Sequence, residues 1–273
     1  MTSKLGRKAG SNMTWQELLI DLRAALHTHH PAALKAALER VASHPELAAN
    51  GEIPARLERD FIFPAGETLA GQAAPADVLR DLQTARLAAL RALGAAALAH
   101  RYAQGELPLK ALRPCGLDAR PEVRRALGHT LADVCPPAAL RSLGRAWLRE
   151  ESPRLRHSAL LALRGLPAET GEALLPLLEP LHAENDPHVG EALVTLLAAL
   201  GENAAGAQVL ALLETWAQRE AANPWLIGRA LSGRWAAQYT PRASALLDAL
   251  EARHGASRHI SNARQALKRH AQV

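Results

Sequence analysis

One short stretch carries three residue types that can act together chemically. Residues 123–133 read VRRALGHTLAD. In an α-helix, with about 100° per residue, Arg125, His129 and Asp133 lie one turn apart in a single polar stripe. A guanidinium can bind a phosphate, an imidazole can exchange a proton near neutral pH, and a carboxylate can stabilise a developing positive charge. The stripe is therefore either a solvated surface or part of a binding and catalytic groove.

Composition predicts the elements that must position these residues. The chain has 273 residues, 48% of them hydrophobic but only 3% aromatic, and Ala and Leu dominate. Ala and Leu are strong helix formers, whereas strands favour β-branched and aromatic residues. The length suffices for one large domain or two small ones. We expect an all-α protein with ample apolar side chains for a core.

A repeated pattern runs along the C-terminal half of the chain. Proline begins each copy at positions 121, 153, 187 and 224, at spacings of 32, 34 and 37 residues, and a copy without proline follows at 257–267. Proline suits the first turn of a helix, where its missing N–H leaves no hydrogen bond unmade. Two helices per repeat of this length are typical of a HEAT-like α-solenoid. The intervening helices are predicted over 137–148, 172–183 and 207–219.

The N-terminal part of the chain is less regular. A connection containing Pro and Gly is predicted over 50–75, and its FIF sequence at 61–63 is expected to dock onto the helices. Helices are predicted over 14–27, 31–49 and 76–104.

The same patterns predict the domain organisation. Residues 1–12 are basic and lack the apolar segment of a signal peptide, so we expect a flexible N-terminus there. The remainder, 13–273, is predicted to be one HEAT-like solenoid domain. It would consist of an irregular helical cap over 13–113 and regular repeats over 114–270.

Charge gives the strongest indication of a partner. The formal net charge is +5 and the isoelectric point is about 9.7, a moderate bias toward anionic partners. The intervening helices hold much of the acid, and a surface lined by arginines could follow a phosphate backbone. A solvated face with scattered charge is the alternative, and Gly190 and Glu191 interrupt the basic pattern. The basic residues of the proline-marked helices are Arg124, Arg125, Arg154, Arg156, Arg164, Arg229, Arg234, Arg258, Arg264, Lys268 and Arg269.

The order of three stretches resembles a known family. VRRALGHTLAD, then RAWL at 145–148 and RLRHSALLAL at 154–163, is similar to the HEAT-like repeat alkylpurine DNA glycosylases of the AlkD/AlkC type. The similarity covers about residues 115–235. It implies a basic concave surface on duplex DNA that carries a cationic N3- or N7-alkylated purine. It also implies a carboxylate that stabilises the positive charge on the deoxyribose as the glycosidic bond breaks.

The resemblance assigns roles to particular residues. It implies that Asp133 is the catalytic carboxylate and that Arg156 holds phosphate. His129 and Thr195 stand where the family has tryptophans that contact the DNA, which predicts weakened or lost activity. The alternative is that Asp133 only pairs with His129 or with a neighbouring helix.

A second register of the same resemblance stays open. If the motif lies at 186–200, the acid falls on Ala199 and the arginines fall on Gly190 and Glu191. That register predicts no glycosylase activity.

Other candidate groups are weaker. Trp225 and Arg229 share one helical stripe, which fits either a DNA-backbone contact or core packing. The HTHH sequence at 27–30 lacks a carboxylate or cysteine to complete a metal site. Cys115 and Cys135 are too few for a disulfide framework. The chain has no phosphate-binding glycine loop and no serine nucleophile elbow, so we expect no metal and no cofactor.

These patterns predict a DNA-binding HEAT-like repeat protein with Asp133 as candidate catalytic residue. A non-catalytic binder of DNA structure and a protein-interaction scaffold are the alternatives. No apolar run approaches the length of a membrane span, so we expect a soluble, monomeric, cytoplasmic protein associated with the nucleoid. The candidate DNA contacts are Arg124, Arg125, His129, Arg156, His157, Trp225, Arg229, Arg264 and Lys268.

Overall fold

A computed structural model of the chain describes residues 13–48, 53–71, 74–166 and 171–272. Within these ranges every regular element is a helix, as the composition predicts. The chain forms two compact units, one ending at Pro136 and the other beginning at Pro137, and each buries its own leucine and alanine side chains. None of the helices in the described ranges is long and apolar enough to cross a bilayer.

The first unit contains nine α-helices in its described part, and the helix predicted over 14–27 is confirmed. That helix begins after Thr14, whose hydroxyl accepts a hydrogen bond from the Glu17 N–H while the Glu17 carboxylate accepts one from the Thr14 N–H. The α-helices are α1 (Trp15–His27), α2 (Pro31–Ser43), α3 (Pro45–Ala48), α4 (Ala55–Leu57), α5 (Phe63–Gly71), α6 (Ala76–Thr84), α7 (Ala88–Ala103), α8 (Arg113–Gly116) and α9 (Pro121–Val134).

The prediction of a Pro- and Gly-containing connection over 50–75 is wrong within the described residues. A π-helical turn, Glu58–Ile62, joins α4 to α5, so the chain is helical from Ala55 to Gly71. Phe61 and Ile62 are fully buried in this run. The Pro and Gly residues misled the prediction because burial of the apolar side chains outweighs their weak helix propensity.

Two predicted helices are each divided in two. The helix predicted over 31–49 breaks at His44, because a residue before proline avoids the helical conformation. The helix predicted over 76–104 breaks between α6 and α7, since α6 turns back to pack on α7. A Cβ at Gly94 of α7 would lie 2.8 Å from the Leu82 Cβ, so the two helices are in close contact.

Helix α7 lies at the centre of the first unit. It packs against α5, α6 and α9, and nearly all of its small side chains are buried. Gly66 of α5 lies so close to α7 that a Cβ there would be 2.6 Å from the Ala96 Cβ. Such short side chains let neighbouring helices approach, and α5 and α9 flank α7 as a result.

The second unit contains eight α-helices in its described part, and each predicted proline start is confirmed. Helices α11, α13 and α15 begin at their proline, as does α9 in the first unit. Helix α17 lacks this proline and begins after Ser257, whose hydroxyl accepts a hydrogen bond from the Ile260 N–H. The helices are α10 (Pro137–Trp147), α11 (Pro153–Leu163), α12 (Gly171–Leu178), α13 (Pro187–Leu200), α14 (Gly206–Ala217), α15 (Pro224–Leu231), α16 (Thr240–His254) and α17 (Arg258–His270).

The helices of the second unit form two rows. Helix α11 packs against α13, α13 against α15, and α15 against α17. We call these four helices the proline row. Contacts also link α10 to α12, α12 to α14, and α14 to α16, which we call the intervening row. The sequence repeat therefore corresponds to a regular alternation of helices within this unit.

Two glycines set the spacing of the proline row. A Cβ at Gly190 of α13 would lie 2.5 Å from Cζ3 of Trp225, the second residue of α15. A Cβ at Gly228 of α15 would lie 3.2 Å from the carbonyl oxygen of His259, the second residue of α17. The gap in the basic pattern at Gly190 thus has a packing reason, because the Trp225 ring occupies the space of a side chain.

Candidate nucleic-acid interface and carboxylate site

Two of the predicted DNA contacts, Arg124 and Arg156, bind the turn that precedes their own helix. Arg124 is buried, and its Nη1 donates hydrogen bonds to the carbonyl oxygens of Asp118 and Ala119 at 2.7 and 3.1 Å. Arg156 Nη1 donates in the same way to the carbonyl oxygens five and six residues before it, at 2.8 Å each. Both arginines stand three residues after the helix proline, so one local feature recurs in both units.

Arg156 is also held by a buried carboxylate. Its Nε donates to Oε2 of Glu184 at 2.6 Å, and the two side chains are 17% and 5% exposed. The other oxygen of Glu184 accepts hydrogen bonds from the N–H groups of the next two residues. Arg91 and Asp118 form the corresponding ion pair in the first unit. The structure therefore places Arg156 in a link between α11 and the turn before α13, and its contact with phosphate stays a prediction.

Two of the three residues in the opening stripe lie against Glu58. Its carboxylate is 5% exposed and belongs to the π-helical turn. Arg125 Nε donates to one oxygen at 3.1 Å, and His129 Nδ1 lies 3.6 Å from the other. The His129 and Phe63 rings are nearly perpendicular to each other, with centroids 6.4 Å apart. Arg125 and His129 are thus tied into the first unit by a residue that the sequence analysis did not select.

Glu58 carries a sequence signal that points to a buried position. It stands beside Leu57 and one helical turn before Ile62, both fully buried, so a helix places its carboxylate on an apolar face. A carboxylate on such a face needs a cationic partner. This pattern indicates burial only if the segment is helical. Because the sequence predicted a connection over 50–75, Glu58 was not identified as buried.

Asp133 differs from the rest of the stripe. Its side chain is exposed, and it forms a hydrogen bond or ion pair with none of the residues that the structure describes. The alternative pairing with His129 is therefore not the one present, since His129 faces Glu58.

A histidine of α7 lies near this carboxylate. Burial lowers the pKa of His100, and the charges of Glu67 and Asp133 act in the opposite direction to a smaller extent. These residues belong to α5, α7 and α9. Asp133 thus lies on a surface where two exposed carboxylates, its own and that of Glu67, raise the pKa of one partly buried imidazole.

His157 is buried, which corrects its predicted role as a DNA contact. Its ring lies against His188 of α13, with centroids 5.9 Å apart. A side chain in this position packs α11 against α13, whereas His188 itself is exposed.

Trp225 and Arg229 of α15 are more accessible. Trp225 is partly exposed, and its ring meets His259 at right angles with centroids 6.4 Å apart. Arg229 is 53% exposed, and its Nε lies 3.7 Å from the Glu191 carboxylate, outside hydrogen-bond range. Glu191, which interrupts the basic pattern in sequence, is therefore a loose partner of an arginine in the next helix of the row.

The predicted contacts of α17 fall into two classes. Arg264 donates to Asp248 and contacts Glu251, both at 2.6 Å, and these carboxylates raise the pKa of its guanidinium. Lys268 is exposed and forms an ion pair with none of the described residues. Arg258 and Arg269 are also exposed, and they too form an ion pair with none of the described residues.

Charge divides unequally between the two rows of the second unit. The proline row contains seven basic residues and one acidic residue, whereas the intervening row contains four of each. The charged residues of the proline row are Arg154, Arg156, Arg229, Arg258, Arg264, Lys268, Arg269 and Glu191. Those of the intervening row are Arg141, Arg145, Arg242, Arg253, Glu172, Glu214, Asp248 and Glu251.

The described part of the chain includes both cysteines and the HTHH sequence at 27–30. Cys115 and Cys135 are buried and reduced, and burial raises the pKa of each thiol to about 11. Among the described residues, no group of three or more His, Cys, Asp or Glu side chains could hold a metal ion.

Comparisons of the chain with protein-family models, with curated proteins and with solved structures find no match.

Proposed function

We propose that this chain is a HEAT-like α-solenoid, related to the DNA alkylation repair proteins, that binds duplex DNA through the proline row of its second unit. The observation that carries the proposal is the excess of basic residues in that row, seven against one. Such an excess on one row of helices suits a polyanion, because phosphates occur at regular intervals along DNA.

Some of the basic residues in the proline row are already neutralised by ion pairs, so they are less available to phosphate. Arg156 is bound to the fold, and Arg264 is neutralised by two carboxylates. Arg258, Lys268 and Arg269 are exposed on α17 and form an ion pair with none of the described residues, and this helix contains no acidic residue within its bounds. Contacts with phosphate are therefore expected mainly along α17.

The test compares two triple variants of equal net charge. The first replaces Arg258, Lys268 and Arg269 with Ala. The control replaces three basic residues in and just after α10 with Ala, namely Arg141, Arg145 and Arg149. Binding of a labelled duplex is measured by fluorescence anisotropy from about 50 mM salt upward, and the α17 variant is expected to lower the slope of log affinity against log salt by about 3, roughly one per lost phosphate contact.

The matched control decides between local contacts and net charge. The α10 variant is expected to keep nearly the full salt slope. Equal weakening by both variants would show that binding depends on overall charge alone. Absence of duplex binding by the wild type at low salt would overturn the proposal and favour a protein-interaction scaffold.

A specific observation supports a second candidate function, an alkylpurine DNA glycosylase with Asp133 as its carboxylate. Asp133 is exposed and unpaired among the described residues, whereas Arg125 binds Glu58 and His129 lies 3.6 Å from it. A free carboxylate can stabilise the positive charge that develops on deoxyribose as a cationic purine leaves. His129 lies in place of an aromatic contact and is tied to Glu58, so the expected activity is weak.

Release of purines from methylated duplex DNA tests this second function. Asp133→Asn is expected to abolish release, whereas Glu67→Gln, which removes another exposed carboxylate near His100, is expected to retain it. Release that survives Asp133→Asn would refute a role for this carboxylate. If the wild type releases nothing, DNA binding without chemistry would be the remaining form of the proposal.

A further inference from the structure

We propose that the proline row binds DNA that contains unpaired bases, and that an unpaired base stacks on Trp225. This inference rests on the proposed DNA-binding function and adds the form of DNA that is recognised. It concerns the N-terminal turns of α13, α15 and α17, whose second residues are all aromatic.

The three rings occupy equivalent positions in successive helices. His188, Trp225 and His259 are each the second residue of their helix, and these helices are neighbours in the proline row. His188 and His259 are exposed, and Trp225 is partly exposed. The proline row therefore has an aromatic residue in the first turn of each of three adjacent helices.

The Trp225 ring packs against two neighbouring residues. Its Cζ3 edge fills the space above Gly190, and the His259 ring meets it at right angles. A ring that already has one conformation loses little entropy when a base stacks on it. Because an indole has a large apolar surface, burial under a base is favourable.

Basic groups flank this ring. Arg229, one turn further along α15, is half exposed and only loosely paired with Glu191. Arg258, the first residue of α17, is exposed beside His259. Aromatic rings among cations are typical of surfaces that bind single strands, where bases stack and phosphates meet the charges.

Base pairing determines which form of DNA can stack a base on the Trp225 ring. In an intact duplex the base faces are stacked on one another, and only their edges are accessible in the grooves. An unpaired base offers its face. The charges of α17 should therefore act on every duplex, whereas Trp225 should contribute only where a base is free.

The experiment measures affinity for two probes of the same sequence, an intact duplex and a duplex with a short single-stranded gap. The wild type is expected to prefer the gapped probe by about tenfold, a typical contribution of one stacked base. Trp225→Ala should remove this preference, because affinity for the gapped probe should fall about tenfold more than affinity for the intact duplex. Trp225→Phe, which keeps an aromatic face, should retain most of it.

Gly190→Ala provides an independent variant in which the tryptophan remains. The added Cβ would lie 2.5 Å from Cζ3, so the ring must shift, and the preference for the gapped probe should fall. Circular dichroism of each variant establishes that it is folded. Equal weakening of both probes by Trp225→Ala, together with an unchanged preference in Gly190→Ala, would overturn the inference.

The two proposals fail in different ways. Binding of both probes with equal affinity by the wild type would overturn the stacking role and leave duplex binding in place. Absence of binding to either probe would overturn both.

Discussion

Replacement of Arg156 tests whether this residue belongs to the fold or to a DNA interface. Arg156→Ala removes one hydrogen bond to Glu184 and two to backbone carbonyl oxygens. Loss of one partner of a buried ion pair costs about 3–5 kcal/mol. Arg156 is 17% exposed, and Glu184 keeps two backbone N–H donors, so we expect a cost at or just below the lower end of that range, about 2–3 kcal/mol.

Urea denaturation followed by circular dichroism measures this change. The midpoint should fall while the slope with urea concentration stays constant, because the surface exposed on unfolding is the same. Arg164→Ala, at the exposed end of the same helix, is the control and should change stability by less than about 0.5 kcal/mol. Combined with Glu184→Gln in a double-mutant cycle, Arg156→Ala should give a coupling energy of about 1–3 kcal/mol.

The opposite pattern would refute the structural role of Arg156. A stability loss below about 0.5 kcal/mol, no coupling to Glu184 and a clear loss of duplex affinity would together indicate a contact with phosphate. We expect folded Arg156→Ala to bind duplex DNA as the wild type does.

Three further predictions concern titratable groups that are buried fully or in part. Glu58→Gln should lower the free energy of unfolding by about 1–2 kcal/mol in thermal melts, because Arg125 loses its charged partner, and an unchanged melting temperature would contradict this. His100 has a pKa below its ordinary value of 6.5, so the unfolded chain binds its proton first and stability should fall as the pH drops below 6.5. His100→Gln should make unfolding less sensitive to pH in that range. Cys115 and Cys135, with pKa values of about 11, should resist thiol reagents near about pH 8 until urea unfolds the protein, whereas rapid labelling of the native protein would refute their burial.

The sequence by itself determined the helical class and the starts of the repeated helices. Proline favours the first turn through its own ring geometry, and that property needs no distant contact. Helices α9, α11, α13 and α15 therefore begin where the spacing predicts. The breaks at His44 and between α6 and α7 show the limit of this reasoning. The break at His44 is local and can be predicted from Pro45. The break between α6 and α7 depends on how these two helices pack.

Only the tertiary structure decided which charges are available. Arg124 and Arg125 are adjacent in sequence, yet one is buried against its own turn and the other binds Glu58, 67 residues away. Asp133 is exposed and forms an ion pair with none of the described residues, whereas His129 of the same helix lies 3.6 Å from the Glu58 carboxylate. Helix propensity acts over a few residues, but an ion pair depends on the packing of helices that are distant in the chain. A sequence pattern can place a charge on a helix, and packing then decides whether that charge is neutralised or left for a ligand.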